Sequence, residues 1–157
     1  MSAPRQDYLV RQIELLRQFV ARLVHDRRPA ELEQALQLSL TLQEKLMPLP
    51  VREFLQLDAA AQFAALSRHE QPADAAEKCL TYAELLVHTA SLYELRGRDD
   101  LALGARHLAL HIATLAALEH RDAAARDNVA LLRQLVPAGE LHPPMRDLLA
   151  RLDETAG

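Results

Sequence analysis

The hydrophobic positions of the chain repeat with the period of an α-helix through most of its length. In the first segment, apolar residues recur at alternating spacings of four and three, which places them on one helical face: Leu9, Ile13, Leu16, Val20 and Leu23. The strict alternation typical of strands is absent, and there are only 4 glycines. The pattern predicts an all-α fold, a bundle of about seven to eight helices.

Breaks in the pattern mark the helix ends. Asp7 is expected to cap the first helix. Pro29 suits the start of the second helix, because its missing N–H would be unbonded there. Gly97 is expected to end the fifth helix in a left-handed conformation. Short connections between long helices predict antiparallel hairpins. The predicted helices cover residues 7–26, 29–47, 50–56, 58–68, 74–96, 99–120, 122–136 and 143–155, in a single domain over 1–157.

Two helices are apolar over most of their circumference. Residues 101–118 are apolar on nearly every side, which predicts a central, buried helix. Gly104 within it costs about 1 kcal/mol relative to alanine, so we expect a neighbouring helix to approach closely there. In the first helix, Tyr8, Leu15, Phe19 and Val24 widen the apolar stripe, which predicts more than one packing neighbour.

Composition and charge narrow the classes of function. The net charge of −4 argues against a basic surface that binds nucleic acid. No polybasic cluster lies next to an apolar segment, so nothing suggests membrane binding. Cys79 is the only cysteine, so an internal disulfide or a cysteine zinc cluster is excluded. The first residues lack the apolar core of a signal peptide, and we expect a cytoplasmic protein.

The stretch from Leu86 to Leu110 resembles a tetratricopeptide unit, in which two antiparallel helices cross at small residues and turn at a glycine. The residues at matching spacings are Ala90, Tyr93, Gly97, Ala102, Ala109 and Leu110. Arg106 replaces the usual large apolar residue of the second helix, so this is a degenerate repeat. The fold is therefore predicted to be a tetratricopeptide-like right-handed array of hairpins, with an ordinary helical hairpin as the alternative.

The chain as a whole resembles an uncharacterised bacterial family, the domain of unknown function 6483. The resemblance is carried by DYLVRQIELL at 7–16, PAELEQALQL at 29–38, ELLVHTASLYELRGRDDLALGARHLAL at 84–110 and GELHPPMRDLLARLDETAG at 139–157. It implies a tetratricopeptide-like helical protein and brings no known activity or site. Family members often continue with another apolar helix, which would cover the last helix predicted here. Without that helix, Leu148, Leu149 and Leu152 are expected to be exposed or to form an interface. A homodimer is one arrangement that would supply such an interface.

Histidines offer one candidate metal site. His107 and His111 are four residues apart, so they share a helical face at a usable metal-ligand spacing. Folding the hairpin at Gly97 brings His88 and Glu84 to similar heights on the partner helix. In a tetratricopeptide arrangement, however, His88 would lie toward the concave side and the other two outside it, so convergence stays open.

A second candidate site is the polar stripe Glu84, His88, Ser91 and Glu94, whose spacings of four and three put the residues on one face. It could form a groove wall that grips a peptide or small ligand, or it could be a solvated helix face. No catalytic signature accompanies it: the serines lack nucleophile-elbow glycines, and a lone cysteine such as Cys79 is more often a small buried hydrophobe.

These observations predict a non-enzymatic protein–protein or peptide interaction module with no cofactor and an unknown protein or peptide partner. The alternative is a small metal- or ligand-binding helical bundle that uses His88, His107 and His111.

Overall fold

The computed structural model describes the backbone of residues 3–155 and the side chains of residues 7–155, and within this part of the chain all regular structure is helical. The all-α prediction is confirmed. The helices are α1 (Ala3–His25), α2 (Pro29–Glu44), α3 (Val51–Leu55), α4 (Ala59–Ser67), α5 (Pro72–Leu95), α6 (Asp99–Glu119), α7 (Ala123–Leu132) and α8 (Pro143–Thr155), with short 3-10 turns at Arg133–Leu135 and Ala138–Glu140.

The helix ends follow local chemistry, with one exception. Asp58 caps α4 by accepting a hydrogen bond from the N–H of Ala61 at 2.8 Å, and Asp122 caps α7 through the N–H of Ala125 at 2.9 Å. The expected cap at Asp7 is wrong, because α1 already begins at Ala3 and Asp7 lies inside the helix.

The contact between α5 and α6 is the most extensive in the fold. Gly97, with φ at +85°, reverses the chain between them. The N–H of Arg98 donates to the carbonyl of Tyr93 at 2.8 Å, and that of Gly97 donates to Glu94 at 3.0 Å, as in a Schellman motif. Fully buried alanines, such as Ala90 and Ala109, leave room for the helices to lie close together.

The other helices are arranged around this pair. α1 and α2 pack on each other and both contact α5; α4 contacts α5 and α6; α7 lies against α6 and α5; and α8 packs on α6. α6 is long and apolar enough to cross a membrane by length and composition alone, with a mean hydropathy of 1.4. Since four helices pack on α6, its burial in the core accounts for that composition.

The last helix corrects one prediction. Leu149 and Leu152 are only 2% and 3% exposed, and Leu148 is half-buried against the same core. α8 lies on α6 and is also joined to α7, where Arg126 donates to the carbonyl of Leu152 at 3.3 Å. The expectation that these leucines are exposed or need a second subunit is therefore wrong, because their partners are in this chain.

A buried polar network, which the sequence did not predict, fastens α2 to α5. Gln43 donates from Nε2 to Oγ1 of Thr89 at 2.8 Å, and Thr89 donates to the carbonyl of Leu85 at 2.8 Å. Ser39 also bonds to the Thr89 hydroxyl. Because each buried polar group has a partner, the hydrogen bonds offset the cost of removing these groups from water, and the network fixes the register of the two helices.

Of two further expectations about packing, one is wrong and one is confirmed. Gly104 is exposed, and a Cβ built there would meet no atom within 4 Å, so no neighbouring helix approaches it. On α1, the prediction of more than one packing neighbour is confirmed, because the helix contacts both α2 and α5. Tyr8, Leu15 and Val24 are nevertheless exposed, since both neighbours pack on the narrower stripe and on Phe19.

Gly104 and Gly97 give a matched test of how each backbone position tolerates a side chain. Gly104→Ala should raise the free energy of unfolding by about 0.5–1 kcal/mol, because alanine fits a helix interior better and space is available. Gly97→Ala should lower it by about 1–2 kcal/mol, since a Cβ disfavours positive φ. Urea denaturation measures both, and a destabilised Gly104→Ala variant would contradict the open environment described here.

Candidate functional site

A groove runs between α1 and α5 and encloses a cavity of about 260 Å³. Its floor is apolar, because it is formed by the buried side chains of Leu9, Ile13 and Leu46. Its walls are charged, and the residues that form them are Glu14 and Arg17 on α1, Glu70 before α5, and Asp74, Glu77, Lys78 and Glu84 on α5. The groove therefore combines an apolar floor with mostly acidic walls.

A second groove, of about 570 Å³, lies on the other side of α5, against α7. It is lined mainly by apolar side chains: Leu80 and Val87 from α5, and Leu131, Leu132 and Leu135 from α7 and the 3-10 turn after it. Leu131 is 64% exposed, which is high for a leucine in a folded chain. The charged residues at this groove are Glu77, Glu84 and Asp122.

The two grooves share the α5 residues Glu77, Thr81 and Glu84. These residues lie on the ridge between the grooves, and together with the facing sides of α1 and α7 they form one continuous surface. We refer to it as the α1–α5–α7 face. This face is concave and combines apolar and charged groups, which is the usual character of a binding site.

Glu84 is the most strongly stabilised carboxylate of this face. His88, whose Nε2 lies 3.6 Å from Oε1 of Glu84, and the guanidinium of Arg17 lower the pKa of Glu84 to about 2. Arg17 also pairs with Glu14. Glu84 is therefore ionised at any physiological pH and ties α5 to α1 at the border of the first groove.

The predicted polar stripe is only partly a groove wall. Glu84 lines both grooves, whereas His88 is largely buried and its Nε2 has no hydrogen-bond partner in the described part of the chain. Ser91 donates to the carbonyl of Val87 in its own helix at 3.3 Å. Glu94 pairs with Arg106 on α6. The stripe thus turns from the groove toward the second helix of the hairpin.

The histidines of α6 pair with a residue outside the helices. The backbone N–H of His142 donates to Nε2 of His107 at 3.2 Å, and the two rings lie 4.1 Å apart between centroids. Burial, followed by the nearby His142 and His111, lowers the pKa of His107. Burial also lowers the pKa of His111, against the opposing effect of Asp58. Both imidazoles are therefore held in the neutral form.

The proposed metal ligands do not converge. Among residues 7–155, no group of three or more histidine, cysteine, aspartate or glutamate side chains is arranged to hold a metal ion. His88 faces Glu84 on α5, whereas His107 contacts His142 before α8. The metal grouping of His88, His107 and His111 is therefore wrong in this fold.

Cys79 is not a nucleophile in this environment. It is fully buried, and burial raises the pKa of its thiol to about 11. The thiolate that a nucleophilic cysteine needs is therefore suppressed near neutral pH, and the interpretation of Cys79 as a small core residue is supported.

The residues that give the face its shape were not predicted from the sequence. Val10 and Leu131 lie outside the inward stripes of α1 and α7, so each looked like an isolated surface residue, and the acidic residues Asp74 and Glu77 resembled an ordinary helix start. The adjacent pair Leu131–Leu132 was the available signal, because neighbouring residues on a helix point about 100° apart. One of the two leucines had to leave the core.

Comparison with known proteins adds no relative: no protein-family model, no curated protein and no solved structure matches this chain. Membership of the domain of unknown function 6483 therefore stays a prediction.

The burial of His107, together with the nearby His142 and His111, makes stability depend on pH. Because folding lowers the pKa of His107, the unfolded chain binds a proton more readily, and the free energy of unfolding should fall as pH drops through about 6.5. Urea denaturation at pH 7.5 and at lower pH measures this change. His107→Gln keeps an acceptor for the His142 N–H but does not titrate, so it should reduce the dependence.

His25→Gln is the matched control, because this imidazole is exposed at the end of α1. Identical pH dependence in the wild type and the His107→Gln variant would show that His107 is not held neutral by folding.

Proposed function

We propose that this chain is a non-enzymatic interaction module of tetratricopeptide-like arrangement, which binds a protein or peptide segment on its α1–α5–α7 face. The observation that carries the proposal is the pair of grooves on either side of α5, each with exposed apolar residues that no part of the described chain covers. Exposed apolar surface of this kind commonly marks an interaction site.

The order of helix contacts supports the arrangement. In a stacked array, the second helix of one pair packs on the first helix of the next, and first helices contact each other. Taking α1/α2 and α5/α6 as pairs and α7 as the first helix of a third, α2 contacts α5 and α6 contacts α7, while α1 and α7 both contact α5. α8 departs from this order, because it packs mainly on α6. α3 and α4 would then be an insertion between the first two pairs. The resemblance to the domain of unknown function 6483 fits the same interpretation.

The roles of the reactive side chains support a non-enzymatic function. The hydroxyls of Ser39 and Thr89 belong to the network between α2 and α5, and Ser91 is bonded to its own helix. The Cys79 thiol is buried and protonated. Ser67 differs, because its hydroxyl lies 3.0 Å from Nε2 of His120 in a partly buried contact. The other hydroxyls and the thiol are engaged in contacts within the chain.

Self-association stays a prediction, but the surface that would support it is on α1 and not on α8. The α8 face cannot supply the contact, because it is covered by this chain, whereas Tyr8, Leu15 and Val24 remain exposed on α1. These residues are where we propose that a second copy packs.

Selection from a random peptide library against the full chain tests the proposed face. Synthetic versions of the enriched peptides should bind the Val10→Ser and Leu131→Ser variants at least about tenfold more weakly, since burial of a large apolar side chain contributes roughly 1.5–3 kcal/mol. Both positions are more than half exposed, at 61% and 64%, so folding should be little affected.

Leu55→Ser is the matched control, because Leu55 is 55% exposed on α3, outside both grooves. The proposal fails if no peptide is enriched, or if the enriched peptides bind the groove variants and the control equally well.

A further inference from the structure

We propose that the segment bound on the α1–α5–α7 face is cationic, with lysine or arginine side chains interspersed among apolar ones. This inference rests on the proposed function and specifies the chemistry of the partner. It follows from the charges that border the grooves, the pairing of those charges, and the apolar surface between them.

The charge of the two grooves is strongly one-sided. The carboxylates that line them are Glu14, Glu70, Asp74, Glu77, Glu84 and Asp122. The cationic side chains there are Arg17 and Lys78. A surface with this balance attracts a cationic partner and repels an anionic one.

Both cations are already engaged within the chain. Arg17 pairs with Glu14 and Glu84, and Nζ of Lys78 lies 3.7 Å from Oε1 of Glu70. An anionic segment would have to compete with these carboxylates for them.

Negative charge is left over on both sides of the ridge. Asp74 is exposed and forms no ion pair with the described residues. Asp122 accepts a hydrogen bond from a backbone N–H at the start of α7 and forms no ion pair with another described residue. A lysine or arginine side chain crossing the ridge near Glu84 would be close to carboxylates of both grooves.

The apolar surface requires that the partner contributes more than charge. Leu9 and Ile13 form the floor of the first groove, and Leu80 and Leu131 line the second. Their cavities of about 260 and 570 Å³ are comparable with ordinary ligand sites, at roughly 300–1,000 Å³. A segment that places leucine-type side chains in these grooves and cationic side chains beside the carboxylates matches both the apolar and the acidic surface. A small polycation would match only the acidic surface.

Three fluorescent peptides test the charge requirement. They share the same leucine positions and differ only in carrying lysine, glutamine or glutamate at the polar positions. Fluorescence polarisation with the full chain should show the tightest binding for the lysine peptide, at least about fivefold weaker binding for the glutamine peptide, and none for the glutamate peptide. The advantage of the lysine peptide should shrink as salt is raised.

A pair of charge-reversed variants locates the effect. Asp74→Lys should weaken the lysine peptide about three- to tenfold while leaving the glutamine peptide little changed. Asp147→Lys, at an exposed position on α8 outside both grooves, makes the same change in net charge and should leave both peptides as in the wild type. Thermal melting checks that both variants fold.

The outcomes separate the two proposals. If the lysine and glutamine peptides bind equally and both are weakened by Leu131→Ser, the interaction module stands and the cationic partner is overturned. The same holds if the peptides enriched from the library depend on the face but carry no net positive charge. If neither the designed nor the library peptides depend on the face, the proposed function itself is overturned.

Discussion

The close antiparallel contact of α5 with α6 is the constraint on which the rest of the structure depends. It is possible because fully buried alanines occupy both helices and because Gly97 adopts a backbone conformation that other residues disfavour. The pair presents its remaining sides to every other long helix: α1 and α2 pack on α5, α8 packs on α6, and α7 contacts both. The position of each groove wall is therefore set by this pair.

The grooves arise from this arrangement because α5 has neighbours on two sides and neither covers it completely. The buried bonds among Ser39, Gln43 and Thr89 hold α2 against α5, and the Glu84–Arg17 pair fixes α1 at the border of the first groove. On the other side, Leu131 and Leu135 stay exposed because α7 contacts α5 only lightly. The recognition surface that we propose is thus the part of α5 that its neighbours leave uncovered.

Sequence periodicity predicted much of the fold because it reports which side of each helix is apolar. The ranges of α2 to α6 and the end of α5 at Gly97 follow from this signal and from local capping chemistry, which needs only neighbouring residues. Periodicity does not report which helix covers an apolar side. For this reason Gly104 looked like a contact although it faces open space. The expectation that Leu149 and Leu152 are unpaired came from the family resemblance, and periodicity could not show that α6 lies against α8.

The candidate site was harder to predict, since it depends on residues that are distant in sequence. The ring contact of His107 with His142 joins α6 to a residue before α8, and the grooves are formed from α1, α5 and α7 together. Glu84 was identified because it lies on a polar stripe, whereas Val10 and Leu131 were missed because they interrupt no pattern. Only the packing of helices shows that such residues share a surface.

Native-state hydrogen exchange tests the central role of the α5–α6 pair most directly. The backbone amides of α6 from Ala109 to Ala117 should exchange only through global unfolding, with the free energy that urea denaturation gives, whereas those of α1 and α8 should open at lower cost. Amides of α6 that exchange more readily than those of α1 would contradict the account, because the framework would then lie elsewhere in the chain.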